Sequence, residues 1–411
     1  MKIVHVITRL ILGGAQENTL LTCLEQSRLG HEVVLLTGPP RGPEGSLLDV
    51  ARAGPYRTVL VPALVRAVRP WSDLVAYYDL LKHLRDIRPD VVHTHSSKAG
   101  ILGRLAARRA GVPCIVHTIH GLPFDAYQGR PAHWAYRLAE RRAARWSHRL
   151  IAVCEDMADR AAASGLAPRS AIDVVYSAMD PDRFRAAADR RKNVRRRWGV
   201  GPDEFVFVKV ARLFHLKGHA LVLPAFAEVA RRCPQARLVL AGEGVLRPAL
   251  ESQVRRLGVA DRVRFLGLAP REEVPGILWA ADAVVHAGLR EGLARVLPQA
   301  GVCRRPVVTY DMGGAREIVR DGENGFLLSP PPRRGMLKAR AWQPLAEAMA
   351  RLASDPPAAR RMGERWPEDG LRRFDYREAT RRVLEVYEAA RLEQFTIGCS
   401  AAVRPRDRRG A

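Results

Sequence analysis

The segment His286 to Ala300, HAGLREGLARVLPQA, joins a strand end, a loop carboxylate, a glycine turn and a helix start. The apolar run Ala283 to His286 reads as a short strand leading into a loop with Glu291 and Gly292, and a helix is expected to begin near Ala294 or Arg295. Pro298 agrees with that start, because proline is tolerated in the first helical turn, where backbone N–H groups lack intrahelical partners, and is costly further in. The amides of Arg295 and Val296 are then free at the positive end of the helix dipole and suit a phosphate oxygen. Gln299 lies one turn beyond Arg295 on the same face, and helical side chains lean toward the N-terminus, so it reaches back over the same ligand. The combination suits a sugar attached to a diphosphate.

Outward from this segment, apolar strands alternate with helical periodicity along the whole chain. KIVHVI, HEVVLLT, DVVHTH, PCIVHTIH, HRLIAVC and IDVVYS are separated by helical stretches at 15–28, 72–87, 97–110, 131–146 and 155–164. The pattern then restarts with FVFVKVA, RLVLAG, RVRFLG, ADAVVHA and PVVTYD. Short buried strands separated by helices imply parallel sheets covered on both faces, an α/β chain of two doubly wound units. SAMDPDRFRAAADRRKN, with a proline, charges and no strand pattern, joins the units. The expected divisions are 1–180, 181–375, a helix over 376–395 and a disordered tail at 396–411.

The chain has 411 residues, enough for two domains of ordinary size. Its six cysteines are scattered without a C-x-x-C pair and read as thiols of a reducing compartment. The start, MKIVHVITRLIL, is interrupted by His5 and Arg9 and reads as a buried strand rather than a leader. No stretch approaches the roughly 18 apolar residues of a membrane span. The net charge of +24 is concentrated in runs at 137–149, 190–198 and 331–340. Such runs favour polyanions, including nucleotide diphosphates and anionic headgroups, or else are arginine-rich helix faces solvated by their own side chains. Few aromatics interleave with them, which disfavours nucleic acid.

The His286 to Ala300 segment resembles the signature of family 4 glycosyltransferases, a glutamate, seven residues and a second glutamate, and the resemblance extends over roughly residues 1–392. It implies the GT-B fold, two Rossmann-like domains facing each other across a cleft, with acceptor-binding and donor-binding halves and a last helix crossing back to the first domain. It implies a retaining transferase that moves a sugar from a UDP-, GDP- or ADP-linked donor to a glycan or lipid-linked acceptor in envelope synthesis, without metal or cofactor. The expected location is cytoplasmic, with peripheral contact at the membrane's inner face. One position departs from the signature: the second glutamate, which binds the ribose hydroxyls, is Gln299 here, and an amide still hydrogen-bonds a diol but carries no charge.

By the same resemblance Glu291 holds sugar hydroxyls, Arg212 and Lys217 in VARLFHLKGH hold the diphosphate, and His120 at the end of HTIH contacts the transferred sugar. Gly292 and Leu293 belong to the same donor loop, Leu266 in FLG lies beside the base, and Glu243 and Gly244 follow a strand end on the donor side. Gly13 and Gly14 follow the first strand and let backbone amides approach a phosphate or the acceptor, although the loop does not match the G-x-G-x-x-G of a dinucleotide enzyme. Lys98 is an acceptor-side candidate. His93, His95 and His117 read as core or hydrogen-bonded histidines. Zinc is disfavoured because strands are expected to point these rings variously, with no acidic or cysteine partner. Asp180-Pro181-Asp182 matches D-x-D but falls in the linker and is not read as a metal site. Two other readings stay open: a non-catalytic basic binding module on this scaffold, and a sugar-phosphate synthase or phosphorylase.

Overall fold

In the computed structural model, which describes residues 1–124, 128–331 and 340–402, two parallel sheets form the frame. The first contains β1 (Lys2–Ile7), β2 (Glu32–Thr37), β3 (Arg57–Leu60), β4 (Val91–His95), β5 (Cys114–Ile119), β6 (Arg149–Ala152) and β7 (Ile172–Val174), in the order β3-β2-β1-β4-β5-β6-β7. The second contains β8 (Phe205–Val210), β9 (Ala236–Ala241), β10 (Val263–Gly267), β11 (Ala283–His286), β12 (Val307–Tyr310) and β13 (Gly325–Leu328), in the order β10-β9-β8-β11-β12-β13. The central strands are valine-, isoleucine- and leucine-rich and almost wholly buried, because helices cover both faces. Each sheet reverses its order beside its first strand, between β1 and β4 and between β8 and β11, and such switch points open a crevice at the strands' carboxyl ends. Two strands were not expected from the sequence, β3 and β13. Both are four-residue edge strands, too short to carry a periodic apolar signal.

The helices that shape the cleft are α1 (Gly14–Arg28), α2 (Pro70–Ile87), α3 (Ser97–Arg109), α4 (Arg130–Ala144) and α5 (Val296–Val302). The last, α6 (Tyr376–Ala402), packs on α1 of the first domain. It is tied there by Met179 N–H to the Phe374 carbonyl at 2.8 Å, Tyr376 N–H to the Met179 carbonyl at 3.0 Å, and the fully buried Tyr387. Residues 396–402, expected as tail, continue α6, because helical hydrogen bonding carries on past the packed face; 403–411 lie outside the described residues.

The linker sequence is ordered by its own polar groups. Asp180 caps the short helix Pro181–Arg185 by accepting from the amides of Asp182 and Arg183, while Asp182 pairs with Arg185 and Arg377. Both D-x-D carboxylates are thereby committed to capping and ion pairing. Part of the 190–198 basic run is likewise internal. Arg195 is buried and binds Asp282 at 2.9 Å, and Arg191 reaches the same carboxylate at 2.5 Å. Those two guanidiniums are not available to a polyanion. Residues 332–339 of the third basic run lie outside the described residues.

Candidate active site

The carboxyl ends of the two sheets enclose a cleft of about 1230 Å³, above the usual volume for one drug-sized ligand. One wall comes from the first domain through Gly13, Gly14, Lys98 and His120, the other from the second through Arg212, Lys217, Glu291 and the 292–299 turn. Where the walls meet, Gly292 is required: a Cβ there would stand 2.0 Å from the carbonyl oxygen of His120. The seam is reinforced by Arg160, which donates to the Glu291 carbonyl at 2.9 Å, and by the Cys154 thiol on the Gly292 carbonyl at 3.3 Å. The key loop of the second domain is therefore held by side chains of the first.

Glu291 is the electrostatic centre. Lys217 Nζ lies 2.8 and 3.0 Å from its two carboxylate oxygens, and His286 Nε2 lies 3.1 Å from Oε1. Burial pushes this carboxyl up, but Lys217 and then His286 outweigh it and hold it well below the usual carboxylate range. Arg212 sits over the Phe214 ring and approaches Glu44 of the first domain at 3.4 Å. α5 begins at Val296 with Arg295 as its cap residue, one position later than the later of the two expected starts, and Pro298 falls in its first turn. Gln299 is buried in the cleft wall, with its backbone N–H donating to the Arg295 carbonyl at 3.2 Å.

The structure brings Glu291, Lys217, Arg212, His120, Gly13, Gly14, Gly292, Leu293, Arg295, Val296 and Gln299 to one cleft. Glu243, Gly244 and Leu266 are not among its lining residues; Gly242, Leu268 and Ala269 take those places. The physical reason is local. Glu243 is turned to Arg247, at 2.6 Å one helical turn on, and Leu266 packs into the second domain's core. Lys98 lines the cleft but is paired with Asp73 at 2.5 Å.

His93, His95 and His117 are buried and hydrogen-bonded, as expected, but His93 and His95 do not point variously: two apart on β4, they share one sheet face, where β1 adds His5 opposite His93. Their nitrogens lie close enough to share an ion, but those of His5, His93 and His95 are each engaged by a protein partner. His117 points to the other face and bonds Thr94 Oγ1 at 2.9 Å.

Three charged side chains at or behind the cleft escaped sequence reading. The Arg295 side chain spans the cleft to Glu17 of α1 at 2.7 Å, while its Nε and second terminal nitrogen have no protein partner. Glu17 also receives Arg183 at 2.8 Å and Arg271 at 2.6 Å. Burial raises the Glu17 carboxyl, but these guanidiniums prevail and hold it well below the ordinary range. Lys209, fully buried in β8 behind Glu291, has an unpartnered Nζ, and burial pushes its ammonium down to about 7 against the pull of Glu291. A lysine inside the apolar run FVFVKV was the available signal for it.

On the first-domain rim, α2 exposes Trp71, Leu74, Val75 and Tyr78, and α4 exposes Trp134 and Leu138 beside Arg137, Arg141 and Arg142. Among the described residues no helix is long and apolar enough to cross a membrane.

Residues 13–178 match the model of the glycosyl transferase 4-like domain, and residues 190–369 match that of the glycosyl transferases group 1. The chain is 30% identical to UDP-Gal:alpha-D-GlcNAc-diphosphoundecaprenol alpha-1,3-galactosyltransferase of Escherichia coli, over 80% of this chain and 84% of that one. It is also 30% identical to D-inositol 3-phosphate glycosyltransferase of Nocardia farcinica, over 93% and 86%. The structure is similar to Anabaena HepE in complex with UDP-glucose, with a TM-score of 0.75, 23% identity and coverage of 95% and 100%. It is also similar to WaaG, a glycosyltransferase involved in lipopolysaccharide biosynthesis, with a TM-score of 0.72, 18% identity and coverage of 94% and 99%. With matching models for both halves, relatives along most of its length and the same two-sheet frame, the chain belongs to the group 1 glycosyltransferases, with the GT-B fold.

Proposed function

We propose that the cleft transfers a sugar, with retention of anomeric configuration and without a metal ion, from a nucleoside-diphosphate donor on the second-domain wall to an acceptor on the first-domain wall. The observation that carries this reading is the partly buried Glu291–Lys217 pair, with Arg212 lining the same cleft. A leaving nucleoside diphosphate gains negative charge as the glycosidic bond breaks, and fixed cations stabilise that charge where it develops. Glu291 accepts hydrogen bonds from sugar hydroxyls, Lys217 and Arg212 take the phosphates, and Gln299 faces the ribose diol. The bond from the anomeric carbon to phosphate oxygen breaks, the bond to the acceptor oxygen forms on the same face, and the acceptor's proton passes to the departing phosphate oxygen. No protein nucleophile takes part.

We also assign the exposed rim of α2 and α4 to an anionic membrane surface, in keeping with a lipid-linked acceptor in envelope glycan synthesis at the inner face. Apolar and aromatic side chains beside arginines are the combination that sits at a headgroup boundary, and the E. coli relative is named for a diphosphoundecaprenol-linked acceptor. The direct experiment is a donor-hydrolysis screen over UDP-, GDP- and ADP-sugars, followed by product NMR. Turnover of one donor class with an α-linked product supports the reading; binding without turnover of any donor favours the binding-module alternative.

A further inference from the structure

Behind His120 a line of hydrogen bonds runs along one face of the first sheet to α1. Gln26 of α1 is fully buried, and its Oε1 stands 2.7 Å from His5 Nε2. His5 Nδ1 is 2.9 Å from His95 Nε2, and His95 Nδ1 is 3.1 Å from His120 Nε2. Burial pushes His5 down to about 4 and His95 well below the ordinary histidine range, and burial with the nearby Arg295 pushes His120 down to about 3. At neutral pH every ring in the line is therefore uncharged, with one donor and one acceptor nitrogen.

That restriction gives the line a direction. An amide oxygen only accepts, so His5 carries its hydrogen on Nε2 and offers a bare Nδ1. His95 must then donate through Nε2 and offer its own Nδ1, and His120 must donate through Nε2. The remaining nitrogen of His120, Nδ1, keeps its lone pair. Gln26 is oriented by Tyr387 of α6, whose hydroxyl takes the Gln26 amide at 3.3 Å and stands 2.6 Å from His93 Nδ1. Reversing the Gln26 amide would reverse each hydrogen bond up to the cleft.

We infer that Gln26, His5 and His95 are positioning residues that lock His120 as its Nε2–H tautomer, so the nitrogen left for the cleft accepts a hydrogen bond. Its partner is then a sugar hydroxyl and not a phosphate oxygen, which has no hydrogen to give. This deepens the assignment of the cleft to a sugar donor and rests on it, while the tautomer itself is a property of the free protein.

The test uses the full chain labelled with ¹⁵N-histidine at neutral pH, with His120 signals identified by their loss in His120→Gln. His120 should show a protonated, pyrrole-type Nε2 and a bare, pyridine-type Nδ1; the opposite pattern overturns the inference. Gln26→Met should give both tautomers at His120 and lower donor kcat/KM about fivefold to tenfold, the worth of one neutral hydrogen bond, with the Kd for free nucleoside diphosphate unchanged. A His120 spectrum unmoved by Gln26→Met overturns the relay even if stability falls. Should that variant not fold, Tyr387→Phe keeps the ring volume and frees the Gln26 amide to turn, and the same mixing is required of it. A wild-type chain with the expected tautomer that turns over no sugar donor would instead sink the transferase assignment and leave the relay standing.

Discussion

Replacing Glu291 by glutamine should tighten the binding of free nucleoside diphosphate while impairing transfer. The carboxylate holds Lys217 at 2.8 Å, and the two side chains are only 10% and 22% exposed. At that separation the attraction is about 6 kcal/mol for an effective dielectric near 20. A diphosphate arriving at Lys217 must draw the ammonium away from the carboxylate or share it. Sharing, residual water and the loss of the carboxylate's own desolvation penalty reduce the difference to about 1 to 2 kcal/mol, a factor of about 5 to 30 in Kd. Transfer should move the other way, because a charge-assisted hydrogen bond to the sugar is lost, about 1.5 to 3 kcal/mol or roughly 10- to 150-fold in kcat/KM. Calorimetry with the nucleoside diphosphate of the accepted donor measures the first quantity and initial-rate assays the second. Weaker nucleotide binding in Glu291→Gln would refute the competition between carboxylate and phosphate, and unchanged transfer would refute the role of Glu291 at the sugar.

If Gln299 contacts the ribose diol, Gln299→Glu should preserve or tighten nucleotide affinity by charge-assisted bonding and Gln299→Leu should weaken it by about 1 to 3 kcal/mol; calorimetry showing neither change removes Gln299 from the donor site. Glu17, whose folded pKa is depressed, contributes stability that is present above its unfolded pKa of about 4.3 and lost as pH falls through the lower folded value. The stability gap between the wild type and Glu17→Gln should accordingly be full at pH 7 and shrink below about pH 4 in urea titrations; a gap independent of pH contradicts the three-arginine clamp. Chelators should leave transfer unchanged, whereas activity abolished by EDTA and restored by manganese would overturn the metal-free mechanism. Liposomes with anionic lipid should bind the protein and release it as salt rises, since screening shortens to about 8 Å at physiological ionic strength, and Trp71→Ser with Trp134→Ser should lower the bound fraction in flotation; equal binding to neutral liposomes would refute the basic contribution.

The alternation of apolar strands with helices, the restart near Phe205 and the loop from His286 to Ala300 made the two-sheet architecture and its principal residues legible in the sequence. Each depends on spacings of a few residues, set by backbone periods that any stretch of chain reports locally. The pairing of Lys217 with Glu291, the reach of Arg295 to Glu17 and the inward turn of Arg191 and Arg195 join residues far apart in sequence. A side chain's partner depends on which charges the folded walls bring within a few ångströms, and local pattern does not encode that. The histidines mark the boundary. Strand period alone puts His93 and His95 on one face, but the register of β1 against β4 brings His5 beside them, and the packing of α1 and α6 supplies Gln26 and Tyr387. Histidine content could be read from the sequence; the direction of the hydrogen bonds came only with the tertiary structure, because a neutral ring's tautomer is chosen by its neighbours.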